Sequence, residues 1–211
     1  RNVTGVQTCA LPILDDAGTK GAANQYQRAN VYYTLASRLV GRSVLVDDAV
    51  RLASKSVPLL NEADFMAAEL AVHNERQSAA AKRTPGYTPE PFPRAESEER
   101  WTGIRANHLS ALGRALLQKG QTAEAETQLK ASYALVPVME TGLALATLAE
   151  KAGQLNTALT YAVSAQLTGK MTAPEFAELE RLYKKTHNGT LDGLEALLDK
   201  TFVAHHKNPI T

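Results

Sequence analysis

The sequence predicts an all-α fold of stacked antiparallel helical hairpins. Three observations predict it. Between Leu109 and Gln166 the chain repeats itself at a fixed spacing: Gly113 recurs as Ala146, Gly120 as Gly153, Ala125 as Ala158 and Leu129 as Ala162, each pair 33 residues apart. A period of that size marks stacked supersecondary units that bury their faces against one another. Apolar residues fall at i, i+3, i+4 and i+7, as in Leu109, Leu112 and Leu116, the spacing of one helix face. Hydrophobic residues make up 44% of the 211-residue chain while aromatics make up only 6%, and the abundant alanine suits closely packed helices better than a β-sandwich.

Taken in order, the chain opens on Val3–Ile13, which reads VTGVQTCALPI. This stretch closely resembles the translation of a common sequencing-library adapter. The resemblance implies that residues 1–13 are a non-native scar, to be left out of fold reasoning. The sole cysteine, Cys9, lies inside it. The remaining chain then has no pair of thiols for a disulfide, a zinc cluster or a CxxC redox site. The chain also begins without Met, which implies that the true N-terminus and any signal peptide lie outside it. Residues 14–23, rich in Gly and Asp, read as a loop or frayed end.

Residues 24–83 form an N-terminal helical block. A helix over Gln25–Val40 places Tyr26, Ala29, Tyr33, Ala36 and Val40 on one face, with Gly41 as its stop. A second helix over Asp47–Leu60 buries Ala49, Leu52, Ala53 and Ser56. A third is capped by Asn61 or Asp64 and runs to about Lys82, with Phe65, Ala68 and Val72 on its apolar side. His73 lies near that side. No second metal ligand accompanies it at suitable spacing, so it reads as a surface or core-edge histidine.

Residues 84–95 are a proline-rich connector. Thr84–Arg94 (TPGYTPEPFPR) holds four prolines and a glycine and cannot be helical. It reads as a semi-rigid spacer that packs Tyr87 and Phe92 onto a neighbour, rather than as a recognition peptide or lid.

Residues 96–204 form the second helical block. A first helix runs from about Ser97 to Lys119, with the sole tryptophan, Trp101, anchoring it against the preceding block. Gly120 ends it, because the residue past a helix must often take φ > 0. Thr122 is the expected cap of the next helix, over Ala123–Leu135. Small Gly113 and Ala125 let the two helices approach, and Pro137 punctuates the hairpin. The second copy begins near Val138. Further on, Thr172–Ala173–Pro174–Glu175 is a helix start with a capping box. Phe176, Leu179, Leu182 and Tyr183 follow at helical spacing, and Asn188–Gly189 closes that helix. Thr190 caps a last helix over about Leu191–Ala204, with Leu194, Leu197, Leu198 and Phe202 apolar. This pair is the expected capping hairpin of the stack. Residues 205–211 read as an extended tail, and adjacent His205 and His206 do not face one ion.

The pattern at Gly113, Ala125 and Pro137 resembles a tetratricopeptide repeat (TPR), with Leu109, Leu116 and Leu129 at the usual aromatic positions. The second copy is one residue short of the family's usual length and lacks the closing proline. The resemblance covers about a third of the chain. It implies a TPR-like superhelix whose concave groove is lined by Asn107, Ser110, Arg114 and Leu117, then Glu140, Leu143, Thr147 and Glu150. It further implies a protein–protein interaction scaffold that binds a peptide or a neighbouring domain. Family members that clamp a C-terminal carboxylate carry Lys and Asn where this chain has Ser110 and Arg114, so the sequence departs from that pattern.

The tail supports a second expectation. HNGTLDGLEALLDKTF followed by KNPI resembles bacterial proteins in which a TPR-like region precedes a thioredoxin-like (redoxin) domain. That resemblance implies thiol–disulfide chemistry in an exported protein, carried by residues beyond Thr211.

Charge and motifs bound the rest. Lys and Arg number 23 against 22 Asp and Glu, which gives no electrostatic case for a nucleic-acid partner. No run of 18 apolar residues offers a membrane span. No GxSxG, HExxH or phosphate loop occurs. The chain as given is therefore read as no enzyme, with no cofactor and no metal.

Overall fold

The computed structural model describes residues 24–206, and among these the chain is all-α, with nine α-helices and no strand. The readings of residues 1–23 and 207–211 lie outside the described residues. Helix α1 spans Gln25–Arg42. The Asn24 side chain starts it by accepting from the Gln27 N–H at 2.8 Å, which satisfies one orphan donor of the first turn. Ala29, Tyr32, Ala36 and Val40 form its buried face. Tyr32 therefore takes the core position that the sequence reading gave to Tyr33, which is half-buried instead.

Gly41 does not stop α1. It stays helical, and the left-handed residue is Ser43, with φ 52°. The reason is packing: Val40 clusters with Ala49 and Ala115, so the helix completes its turn beyond Val40 before the chain reverses. Helix α2 covers Val46–Ser56, followed by a single 3-10 turn at Val57–Leu59. It ends earlier than the expected Leu60 because Pro58 has no N–H to continue the ladder. Ala49, Leu52, Ala53 and Ser56 are all fully buried, as their spacing requires.

Helix α3 (Glu62–Arg83) is capped by Asn61, whose side chain accepts from the Asp64 N–H at 3.1 Å. Phe65 is buried but Val72 is 45% exposed, so the apolar stripe of α3 is shorter than its sequence suggests. The proline connector returns along α3. The Tyr87 hydroxyl and the Glu90 N–H both donate to Gln77 Oε1, and the Phe92 ring meets the edge of His73. His73 Nε2 lies 3.0 Å from the Glu90 carbonyl, so that histidine ties the connector down.

Helix α4 (Arg94–Lys119) begins three residues before the expected Ser97 and takes up the last residues assigned to the connector. Trp101 stacks on Phe65 with ring centroids 5.4 Å apart and meets the Tyr26 edge at 6.4 Å. These three rings join α1, α3 and α4. Helices α5 (Thr122–Leu135), α6 (Met139–Lys151) and α7 (Leu155–Thr168) complete two hairpins, α4–α5 and α6–α7.

The turns of both hairpins use glycine with positive φ, 84° at Gly120 and 75° at Gly153. The Gly120 and Gly153 turns are alike: Gln121 N–H reaches back to the Leu116 carbonyl at 2.9 Å and Gln154 N–H to Ala149 at 2.8 Å. This closure is so short that Thr122 is already the first helical residue. Gln121 takes the cap position without a side-chain bond, contrary to the expected Thr122 cap.

Helix α8 (Ala173–Thr186) starts at the expected capping box, with the Glu175 carboxylate accepting from the Thr172 N–H at 2.7 Å. Helix α9 (Leu194–His206) starts later than Leu191. An Asp192–Gly193 turn intervenes, with Gly193 at φ 88° and the Tyr183 hydroxyl donating to the Asp192 carbonyl at 2.7 Å. Leu194 is buried in the α7–α8 core, whereas Phe202 is 51% exposed, so the apolar side of α9 ends before Phe202. The helix extends through His206, beyond the expected Ala204. No described helix is long and apolar enough to cross a membrane.

Candidate functional site: a furrow across α4, α6 and α8

The family resemblance implies eight residues on one groove, and the structure brings six of them together. Arg114, Leu117, Glu140, Leu143 and Thr147 line a shallow cleft of about 240 Å³ with Gln118, Ala144 and Glu175. Leu143, Thr147 and Glu150 continue into a larger, mainly apolar cleft of about 410 Å³. Its other walls come from α7 and α8, with Ala162 at the base and Leu179 and Leu182 at the side. The two clefts share Leu143, Thr147 and Glu175. They form one furrow across α4, α6 and α8.

Asn107 and Ser110 do not belong to it. Asn107 is exposed away from both clefts. Ser110 is buried, and its oxygen accepts a hydrogen bond of 2.8 Å from the Thr141 hydroxyl. Ser132 nearby donates to the Ala106 carbonyl at 2.7 Å. Ser110 therefore lies inside the α4–α6 contact. A buried hydroxyl needs a partner, and Thr141 supplies it from the next hairpin.

The α8 wall carries charges that the sequence reading missed. Arg181 grips Glu150 with two parallel bonds of 2.6 Å, and Lys185 adds a third at 2.7 Å. Arg181 also donates its Nε–H to Glu178 at 2.6 Å. The Arg181 bonds first, and then that of Lys185, hold the Glu150 carboxyl down at about 2. Glu150 sits in α6 and its partners in α8, so this cluster ties the third pair of helices onto the second hairpin. The only sequence signal was Glu150 itself, since nothing local links residues 31 positions apart.

Glu175 is held below the usual carboxylate range, first by the Thr172 N–H, then by its hydroxyl, with a smaller contribution from the Arg114 charge. Arg114 itself makes no hydrogen bond or ion pair among the described residues. It is half-buried at the edge of the furrow, beside Leu117 and Leu143.

The Glu150 cluster contributes stability that is complete above a pH of about 4.5 and lost as pH falls toward about 2. Its partners are well exposed, so solvent screening limits the loss. Glu150→Gln is expected to lower stability by no more than about 1 kcal/mol in moderate salt. It should also flatten the acid limb of a urea-midpoint profile below pH 4.5. An unchanged acid limb would show that the ion pairs are not held in solution.

No group of three or more His, Cys, Asp or Glu side chains among the described residues is arranged to hold a metal ion. Comparison with known protein families, characterised proteins and solved structures finds no match.

Proposed function

We propose that this chain is a TPR-like protein–protein interaction module that receives a peptide or neighbouring domain in the α4–α6–α8 furrow. One observation carries the reading. Of the eight positions that the family resemblance assigns to the groove, six lie along one continuous depression on the first helices of successive hairpins. An elongated, mixed-polarity furrow of that kind suits an extended segment. Arg114, which makes no hydrogen bond or ion pair among the described residues and lies near enough to Glu175 for its charge to be felt there, is the polar group of the furrow that a partner would meet, because a guanidinium makes directional, charge-assisted bonds.

The test is binding to an immobilised random peptide library, comparing the wild-type chain with Arg114→Ala. The expected result is a set of peptides held by the wild type and weakened about tenfold or more by the substitution, with the far-ultraviolet circular dichroism unchanged. Equal binding by both chains, or loss of helical signal in the variant, would remove the assignment of Arg114.

A further inference from the structure

Among the described helices, α3 alone contributes no side chain to the apolar clusters that hold the chain together. Of its 22 residues only Phe65 is buried. Leu70 and Val72 are 42% and 45% exposed. Its fastening to α1 and α4 lies in its N-terminal half. There Phe65 meets Tyr26 edge-on at 5.2 Å and stacks on Trp101. Glu69 accepts from Arg100, whose guanidinium also donates to Ser97 Oγ at 2.9 Å. Further along α3 the partners change. Gln77 is taken by Tyr87 and Glu90, and His73 by Glu90 and Phe92, all from the connector. Helix and connector thus clasp each other.

The two ends of this unit are anchored. Val57 and Leu59 of the 3-10 turn pack against the main core. Leu60 then extends the chain, with φ −67° and ψ 117°. At the other end Ser97 is fully buried, and its hydroxyl donates to the Pro93 carbonyl at 3.1 Å. Each pivot is a short non-helical step between an anchored residue and the unit itself.

We propose that α3 and the proline connector form one flap that undocks from α1 and α4, pivoting at Leu60–Asn61 and Phe92–Pro93, while the rest of the fold stays closed. A segment with few buried apolar contacts opens at a lower free-energy cost than the core. Hinges of this kind are a few residues at the ends of elements. The bonds from the connector to Gln77 and His73 need not break, so the two parts move together. Opening uncovers the Tyr26 and Trp101 surface that Phe65 covers.

The experiment is native-state hydrogen exchange of the full chain, followed by NMR at rising urea concentrations. An undocked α3 exchanges its amides, because most helical stability comes from packing. The expected result is one opening shared along α3, at least about a hundredfold more frequent than the openings of α2 and α5. Its urea slope should lie above zero and below that of α2 and α5, since the slope follows the surface exposed. Openings graded inward from Arg83 with no urea slope would mean fraying of the helix end. Openings equal to those of α2 and α5 would mean that α3 unfolds only with the core. Either result overturns the flap.

Two variants separate the clasp from the core. Phe65→Ala should raise the α3 opening at least about tenfold. Leu129→Val thins the core without touching the clasp. It should raise the α5 opening about threefold or more and leave the α3 opening unchanged. An α3 opening that ignores Phe65→Ala, or that rises equally with α5 in Leu129→Val, would overturn the proposal.

Discussion

Leu129→Ala is expected to lower the stability of this protein by about 2–5 kcal/mol, the range for removing a fully buried leucine from a core that relaxes only in part. Leu129 is 0% exposed and packs in one cluster with Leu112, Leu116, Ala125, Leu145 and Leu148. It therefore holds α4, α5 and α6 together. Gly113→Ala acts on the same contact from the other side. Alanine gains about 1 kcal/mol of helix propensity over glycine. Its Cβ, however, would stand 2.6 Å from Leu129 Cγ and 3.1 Å from the Leu129 backbone nitrogen, an overpacking that costs about 1–3 kcal/mol.

The double variant tests the origin of both effects. It installs the alanine pair that the next hairpin carries at Ala146 and Ala162. The added methyl then escapes the Leu129 side-chain clash and keeps only the tight 3.1 Å approach to the backbone nitrogen, so the double loss should fall short of the sum by about 1–2 kcal/mol. Urea unfolding of the four chains measures this. Strict additivity would mean that the two side chains do not compete for one space. A midpoint unchanged by Leu129→Ala would mean that Leu129 is outside the core.

Lowering the pH from 7 to 4 is expected to remove about 3 kcal/mol through His108 alone. His108 is 1% exposed at the α1–α4 contact. Its Nε2–H donates to Asn30 Oδ1 at 3.3 Å, and Tyr33 stacks on the ring at 4.5 Å. Its Nδ1 is buried without a partner among the described residues. Burial alone pushes its pKa from 6.5 down to about 4.

The sign follows from that direction. Between pH 6.5 and 4 the unfolded chain binds a proton that the folded chain refuses. Stability is thus full above about 6.5 and falls as pH drops toward about 4. His108→Gln keeps a donor for Asn30 and does not titrate, so its urea midpoint should change much less across this window. A drop of equal size in the variant would assign the acid sensitivity to other groups.

Much of the fold is legible because its signals are local. Gly120 and Gly153 mark turns because only glycine takes φ near +80° without strain. Thr172 and Glu175 mark a helix start because their reciprocal bonds span three residues. Ala49, Leu52, Ala53 and Ser56 lie on one face of α2 by spacing alone. Where the reading failed, a distant contact overrode a local cue. Gly41 looked like a stop, but the burial of Val40 against Ala49 and Ala115 carries the helix past it. Val72 and Phe202 fit apolar stripes, yet no neighbouring helix covers them fully.

The sequence by itself determined that the chain is helical, where most helices begin and end, and that a 33-residue unit recurs within it. Only the tertiary structure decided which residues line the furrow. Ser110 turned inward because Thr141 from the next hairpin meets its hydroxyl. Glu150 became the centre of an ion cluster because α8 brings Arg181 and Lys185 across to it. Each depends on side chains about thirty residues apart, and spacing along a single helix carries no information about them.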